Sequence, residues 1–151
     1  MRGRKEIPPG PEGPFSIPQA ARLLGLPYET VDHWARTGLI RPSLKPSGGR
    51  GVWRKFSFPD LVALRVATKL RAHGIAAQTI RRIVARLPKE ALVHPLAEHR
   101  LVVWGTDVLL VEGKAHWSMR HKPGQGVLVE LLPLVKKLRA DVARVAQRRI
   151  A

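Results

Sequence analysis

Two short amphipathic segments follow each other in this chain with only Gly25, Leu26 and Pro27 between them. The first segment starts after Ser16, which can form a helix-capping box with Gln19, and the glycine that follows it is typical of a helix end. The proline favours the start of a new helix immediately afterwards. A join this short requires the two helices to cross sharply, as they do in a helix-turn-helix unit.

Helical periodicity extends this pattern through the first 87 residues. The second helix is predicted over residues 28–37 and should end at Gly38. Ser57 is expected to open a third helix, with Pro59 and Asp60 in its first turn and Gly74 at its end, and a fourth helix is predicted over residues 76–87. The sequence therefore predicts four helices, with one irregular stretch between the second and the third.

That irregular stretch is rich in glycine and in basic residues. Residues 43–51 are predicted as a loop and residues 52–56 as a strand returning from it, so that together they form a wing. Glycines allow the backbone to approach a DNA strand, and the cations can contact phosphates. The tryptophan of the wing either packs on a DNA sugar or fills the gap between the wing and the third helix. The candidate DNA-contacting residues here are Lys45, Arg50, Trp53, Arg54 and Lys55.

The second helix is the candidate DNA-reading helix. Its residues Val31, Trp34 and Ala35 should face the first helix, which leaves a polar face outward. Arginine and histidine can donate to phosphate or guanine, tyrosine can hydrogen-bond, and the acidic residues can accept from cytosine. The alternative is a structural helix pair with an incidental polar face. The candidate contacts on this helix are Tyr28, Glu29, Asp32, His33 and Arg36.

The charge of the chain favours a nucleic-acid partner. Its 27 Lys and Arg against 11 Asp and Glu give a net charge of +16, and such an excess attracts polyanions. A basic surface kept for solubility or heat tolerance is the alternative, although heat tolerance usually raises glutamate as well. The chain has no cysteine, which excludes disulfides and zinc fingers. It also lacks an apolar run of roughly 20 residues and an apolar leader, so a cytoplasmic protein with no membrane partner is expected.

Gly25-Leu26, Gly38-Leu39-Ile40 and Asp60-Leu61 stand at spacings that match a known family pattern. Through these and other matching positions, residues 15–87 resemble the winged helix-turn-helix domain of MerR-type transcription regulators. This resemblance implies a four-helix domain that binds double-stranded DNA with its second helix in the major groove. The chain departs from the family pattern at Asp32, where the family carries an arginine, and at the next two positions, where His33 and Trp34 replace tyrosines. Either the domain docks on DNA as the family does and recognises a different base sequence, or the DNA contact shifts onto the wing. The matching residues are Ile17, Ala20, Ala21, Gly25, Leu26, Thr30, Gly38, Leu39, Ile40, Pro42, Gly51, Arg54, Phe56, Asp60 and Leu61.

The pattern changes after the fourth helix. Residues 1–14 are predicted as a flexible arm, residues 88–95 as a linker, and residues 96–151 as a small α+β module. Within the module we expect short antiparallel strands at 101–104, 108–111, 115–119 and 127–131, followed by a helix over 133–149. The whole chain is thus predicted to be mainly α with a small β component.

The last predicted helix carries a short apolar seam, Val135, Leu138, Val142 and Val145, with the three- and four-residue spacing of a helix interface. We expect a homodimer through this seam, because symmetric operators require two reading domains. The alternative is that the seam packs against the module's own sheet.

Three functions are consistent with this organisation. A bacterial transcription regulator is the first. The second is an antitoxin that binds a ribonuclease toxin and regulates its own operon, since the order of a MerR-like domain before a GQG-plus-helix ending resembles DUF433-type antitoxin chains. The third is an excisionase-like architectural DNA binder. The six histidines are scattered, without the spacing of metal ligands, so no catalytic residue, metal site or cofactor is predicted.

Overall fold

The computed structural model describes residues 11–44, 55–86, 100–104, 107–111 and 127–148. These ranges contain five helices and three strands, so the described part of the chain is mainly helical. The predicted linker and the predicted strand at 115–119 lie outside the described residues. The elements in chain order are α1 (Ile17–Leu24), α2 (Tyr28–Thr37), α3 (Phe58–Ala72), α4 (Ala77–Arg86), β1 (Arg100–Trp104), β2 (Asp107–Val111), β3 (Val127–Glu130) and α5 (Leu131–Arg148).

The predicted caps of α1 are confirmed. The Ser16 hydroxyl accepts a hydrogen bond from the Gln19 amide at 3.2 Å, and the Gln19 side chain accepts one from the Ser16 amide at 2.8 Å. This reciprocal pair satisfies two of the amide groups that a helix start leaves without a partner. At the other end Gly25 takes the left-handed conformation, with φ of 67°.

Helix α3 is the centre of the core. It begins with a second capping box, formed by Ser57 and Asp60, and it contacts α1, α4 and α5. Because neighbours surround it, α3 buries more than the single stripe that its sequence predicts. Its buried residues are Phe58, Leu61, Val62, Ala63, Leu64, Val66, Ala67 and Leu70.

The segment before α1 is tied to the wing. Phe15 and Phe56, both fully buried, exchange two backbone hydrogen bonds of 2.8 Å. Gly13 has a φ of 101°, and a Cβ there would lie 2.9 Å from the Phe56 carbonyl oxygen, so the approach requires glycine. The predicted flexible arm is therefore wrong at its C-terminal end, where Glu12 also accepts a backbone hydrogen bond from Phe58.

The three strands form one antiparallel sheet in the order β2-β1-β3, in which Val102 lies opposite Leu109 and Leu128. The strand predicted at 127–131 is one residue shorter in the structure, because β3 ends at Glu130 and Leu131 begins α5. Pro133 lies in the first turn of this helix, where a proline is tolerated because it removes no intrahelical hydrogen bond.

Helix α5 packs into the same core as the first four helices. Its residues Leu131, Leu134, Val135, Leu138 and Val142 join the cluster built by α1, α2, α3 and α4, and the helix contacts both α1 and α3. The sequence suggested a separate module at 96–151. The helix instead shares the core of the first domain, because its apolar face packs against α3.

This packing corrects the predicted dimer seam. Val135, Leu138 and Val142 are 4%, 1% and 4% exposed within the single chain, so these three side chains face the chain's own core. Their partners include the core residues contributed by α1 and α3. Only Val145 of the predicted seam is exposed, at 42%.

Arg139 adds a polar contact between α5 and the start of α3. Its guanidinium carbon lies 4.0 Å from the centre of the Phe58 ring, a cation–π distance. The same guanidinium pairs with the Glu12 carboxylate at 2.9 Å. Arg139 thereby joins α5, α3 and the segment before α1.

Candidate nucleic-acid interface

The turn between α1 and α2 is closed by backbone hydrogen bonds. The Gly25 amide donates to the carbonyls of Ala21 and Arg22, and the Leu26 amide donates to Ala21 at 2.9 Å. The second bond is the six-residue closure of a Schellman motif, which turns the chain at once out of the helix. The predicted helix-turn-helix geometry follows, because α2 begins only three residues later and packs on α1.

Helix α2 has one face in the core and one face outward. Val31 is fully buried, and Trp34 and Ala35 are partly buried against the core, as the helical spacing predicted. The outward face carries Tyr28, 48% exposed, together with the exposed Glu29, His33 and Arg36. These four positions are therefore accessible to a partner.

Asp32 is less exposed than the other polar residues on this outward face, and it pairs with Arg36. The Arg36 Nε lies 3.1 Å from the Asp32 Oδ2, one helical turn away. The Asp32 side chain is 23% exposed and the Arg36 side chain is 67% exposed. The acidic residue at the family's arginine position thus has a partner of opposite charge on the same helix.

Two arginines from outside the motif bind the ends of its helices. Arg65 of α3 donates to the carbonyl of Leu24, the last residue of α1, at 3.3 Å. Arg81 of α4 donates to the carbonyl of Thr37, the last residue of α2, at 2.9 Å. The C-terminal end of a helix has unpaired carbonyls and a partial negative charge, so a guanidinium there stabilises it. Arg81 consequently fixes the end of the candidate reading helix.

Leu44 and Lys55, at the two ends of the predicted wing, form an antiparallel bridge. Leu44 and Lys55 exchange backbone hydrogen bonds of 2.9 and 2.8 Å. One residue before Leu44, the Ser43 amide and hydroxyl donate to the Asp60 carboxylate at 2.8 and 2.7 Å. Because Asp60 also caps α3, the same carboxylate attaches the wing to that helix.

The remaining wing candidates, Lys45, Arg50, Trp53 and Arg54, lie outside the described residues. Of the wing residues predicted to contact DNA, the structure places Lys55, which is partly buried at the antiparallel bridge with Leu44. DNA contact by the wing and DNA contact by the exposed face of α2 both stay predictions.

Sequence reasoning missed the roles of Arg65, Arg81 and Ser43. Arg65 and Arg81 reach carbonyls 41 and 44 residues away, and Ser43 reaches a carboxylate 17 residues away. Local spacing carries no signal for contacts at such separations. Arg81 lies on the surface, yet it has a specific acceptor there.

Within the described ranges, no three histidine, aspartate or glutamate side chains group as metal ligands would. No described helix is both long enough and apolar enough to span a membrane.

Comparison with known proteins agrees with this geometry, which is that of a helix-turn-helix domain. Residues 15–87 match the model of the MerR HTH family of regulatory proteins. The N-terminal half of the chain is thus a MerR-type helix-turn-helix domain, as its sequence motifs indicated.

Similar full-length proteins come from mycobacteria. Proteins of Mycobacterium bovis and of two strains of Mycobacterium tuberculosis, each named an HTH-type transcriptional regulator, are 36% identical to this chain over 91 residues. The aligned region covers 60% of this chain and 40% of each relative. The chain thus matches less than half the length of these regulators.

Proposed function

We propose that this protein is a transcription regulator that binds double-stranded DNA, with α2 in the major groove and the wing along the phosphate backbone. The observation that carries the proposal is the outward face of α2, with Tyr28, His33 and Arg36 exposed in a MerR-type domain. Residues of these types hydrogen-bond base edges and phosphates.

The attachment of the wing and of α2 to the core also supports this proposal. Asp60 holds the base of the wing, and Arg81 holds the end of α2. A protein that reads bases must present its contacts from rigid elements, because a loose contact loses its discrimination. The net charge of +16 supplies long-range attraction to the duplex.

We further propose that two copies of the chain act together on DNA. Helix-turn-helix proteins bind symmetric sites as dimers, with half-sites about one helical turn apart. The buried residues of α5 take no part in this proposed contact.

Duplex binding measured by fluorescence anisotropy at a series of salt concentrations tests the DNA proposal. The wild-type chain should bind labelled duplex with an affinity that falls steeply with salt. Replacing Arg50, Arg54 and Lys55 together by alanine should weaken binding at low salt by several kcal/mol and reduce the slope of log K against log salt by up to about 3, since each phosphate contact contributes about 0.9.

A matched control replaces three exposed lysines that lie neither on α2 nor on the wing, namely Lys69, Lys136 and Lys137. This variant has the same net charge as the wing variant, so it should reproduce only the long-range part of the loss. Equal losses in both variants would remove the wing from the mechanism. Absence of duplex binding by the wild-type chain would overturn the function itself, and strong DNA bending without an effect on a promoter would indicate an architectural protein instead.

A further inference from the structure

The outer face of α2 carries an ion pair with an unusual division of exposure. Asp32 and Arg36 are one turn apart, and the contact joins the carboxylate Oδ2 to the guanidinium Nε at 3.1 Å. The Asp32 side chain is 23% exposed and the Arg36 side chain is 67% exposed. Asp32 therefore lies close to the helix, and Arg36 projects from it into solvent.

The atom that Asp32 engages determines what Arg36 can still do. Arginine recognises guanine by donating two parallel hydrogen bonds to O6 and N7. With Nε held by the carboxylate, the two terminal Nη groups are the pair that can form this fork. An exposed arginine otherwise samples many rotamers, and fixing the planar fork in advance reduces what is lost on binding.

Stability alone does not account for the pair. Exposed ion pairs one turn apart on a helix contribute little to folding. In a DNA-binding helix an unpaired carboxylate would also repel phosphates. A carboxylate that holds an arginine, in contrast, lowers the non-specific attraction of that helix while it sharpens the direction of the donors.

We propose that Asp32 is a positioning residue that holds Arg36 for bidentate recognition of a guanine in the major groove. This inference rests on the proposed DNA-binding function. It gives the acidic residue at the family's arginine position a specific role, in which Asp32 contacts Arg36 and Arg36 contacts the base.

The test measures preference and affinity separately, on the full-length chain. Selection from a library of random duplexes defines the preferred sequence, and anisotropy titrations then compare it with duplexes changed at single base pairs and with a scrambled duplex. The variants are Asp32→Ala, Asp32→Asn and Arg36→Ala, with circular dichroism to verify that each is folded. The control is Asp141→Ala, which removes the same charge from α5, where Asp141 pairs with Lys137 and Arg144.

The wild-type chain should prefer guanine at one position by about 5- to 100-fold, the range of a good bidentate contact. Asp32→Ala should reduce that preference by about fivefold or more. The same change should increase affinity for the scrambled duplex a few-fold at low salt, because a negative charge is lost. Asp32→Asn keeps an acceptor oxygen, so its guanine preference should lie between those of the wild type and Asp32→Ala. Arg36→Ala should abolish the preference, and Asp141→Ala should leave it unchanged.

Several results would overturn the inference. If Asp32→Ala strengthens binding to all duplexes equally, with the guanine preference intact, Asp32 merely repels DNA. If Asp32→Ala removes a preference for cytosine while Arg36→Ala leaves all preferences unchanged, Asp32 itself contacts a base. In each of these results the wild type binds duplex, so the proposed function stands while the inference fails. A wild-type chain that binds no duplex contradicts the function.

Discussion

At the scale of single residues, one carboxylate oxygen connects Ser43, at the start of the predicted wing, to the first turn of α3. The Oδ2 of Asp60 accepts hydrogen bonds from the Ser43 amide, the Ser43 hydroxyl and the Ser57 amide, all between 2.7 and 2.8 Å. The Ser57 hydroxyl completes the arrangement by accepting from the Asp60 amide at 3.2 Å. A change at this position therefore affects the start of α3 and the base of the wing together.

We expect Asp60→Ala to lower the free energy of unfolding by about 1–3 kcal/mol. It removes half of a capping box and leaves the Ser43 amide without its acceptor, whereas the Ser43 hydroxyl keeps the Ser57 hydroxyl oxygen at 3.0 Å. Urea denaturation followed by circular dichroism measures the change. Glu29→Ala is a suitable control, because Glu29 is an exposed acid in the first turn of α2. A loss below about 0.5 kcal/mol for Asp60→Ala would contradict the role of this carboxylate.

At the scale of elements, α5 is the part of the fold that completes the core. Its Leu138 is 1% exposed, although the helix lies far along the chain from the helices it covers. The apolar periodicity of α5 predicted a buried face. Which element would cover that face depended on the three-dimensional arrangement of α3.

Leu138→Ala should destabilise the chain by about 2–5 kcal/mol, the range for removing a buried leucine side chain. If α5 belongs to the first domain's core, urea denaturation should remain a single transition that shifts to lower urea. Val145→Ala on the exposed side of the same helix should change stability by less than about 0.5 kcal/mol. Two separate transitions, with only the second affected by Leu138→Ala, would show that α5 folds apart from α1–α4.

Local chemistry explains which elements were predictable from the sequence. The boxes at Ser16 and Ser57 and the stop at Gly25 involve residues within a few positions of each other, so they can be identified by spacing. The buried face of α2 follows from its periodicity in the same way. The contacts of Arg65 and Arg81 with helix ends, and the ion pair of Arg139 with Glu12 across 127 residues, depend on how elements pack, which spacing does not encode. On α2 the exposed face was predictable, and the four-residue spacing of Asp32 and Arg36 permits an ion pair. Which atoms of the two side chains meet depends on their conformations, which spacing does not give.

At the scale of the whole molecule, the strong positive charge opposes the proposed pairing of two copies. A chain with a net charge of +16 repels its own copies in the absence of a polyanion, and salt or DNA reduces this repulsion. Association should accordingly depend on ionic conditions.

We expect sedimentation equilibrium at micromolar concentration and moderate salt to give twice the chain mass of 16.8 kDa. Since Val135, Leu138 and Val142 are buried in the single chain, Leu138→Ala should affect stability before it affects association. A single-chain mass throughout the micromolar range, with and without an operator duplex, would contradict the dimer. The control is a titration with a non-specific duplex, which separates specific pairing from crowding of basic chains on DNA.

The two arginines that bind the ends of α1 and α2 make the helix-turn-helix motif difficult to transfer to another protein by itself. A fragment of residues 15–42 would contain both helices and their turn, yet it would leave the carbonyls of Leu24 and Thr37 without Arg65 and Arg81. Grafting the motif onto another scaffold therefore means transferring α3 and α4 as well. Because α5 contributes to the same core, a transferred unit should also include this helix as far as Val142.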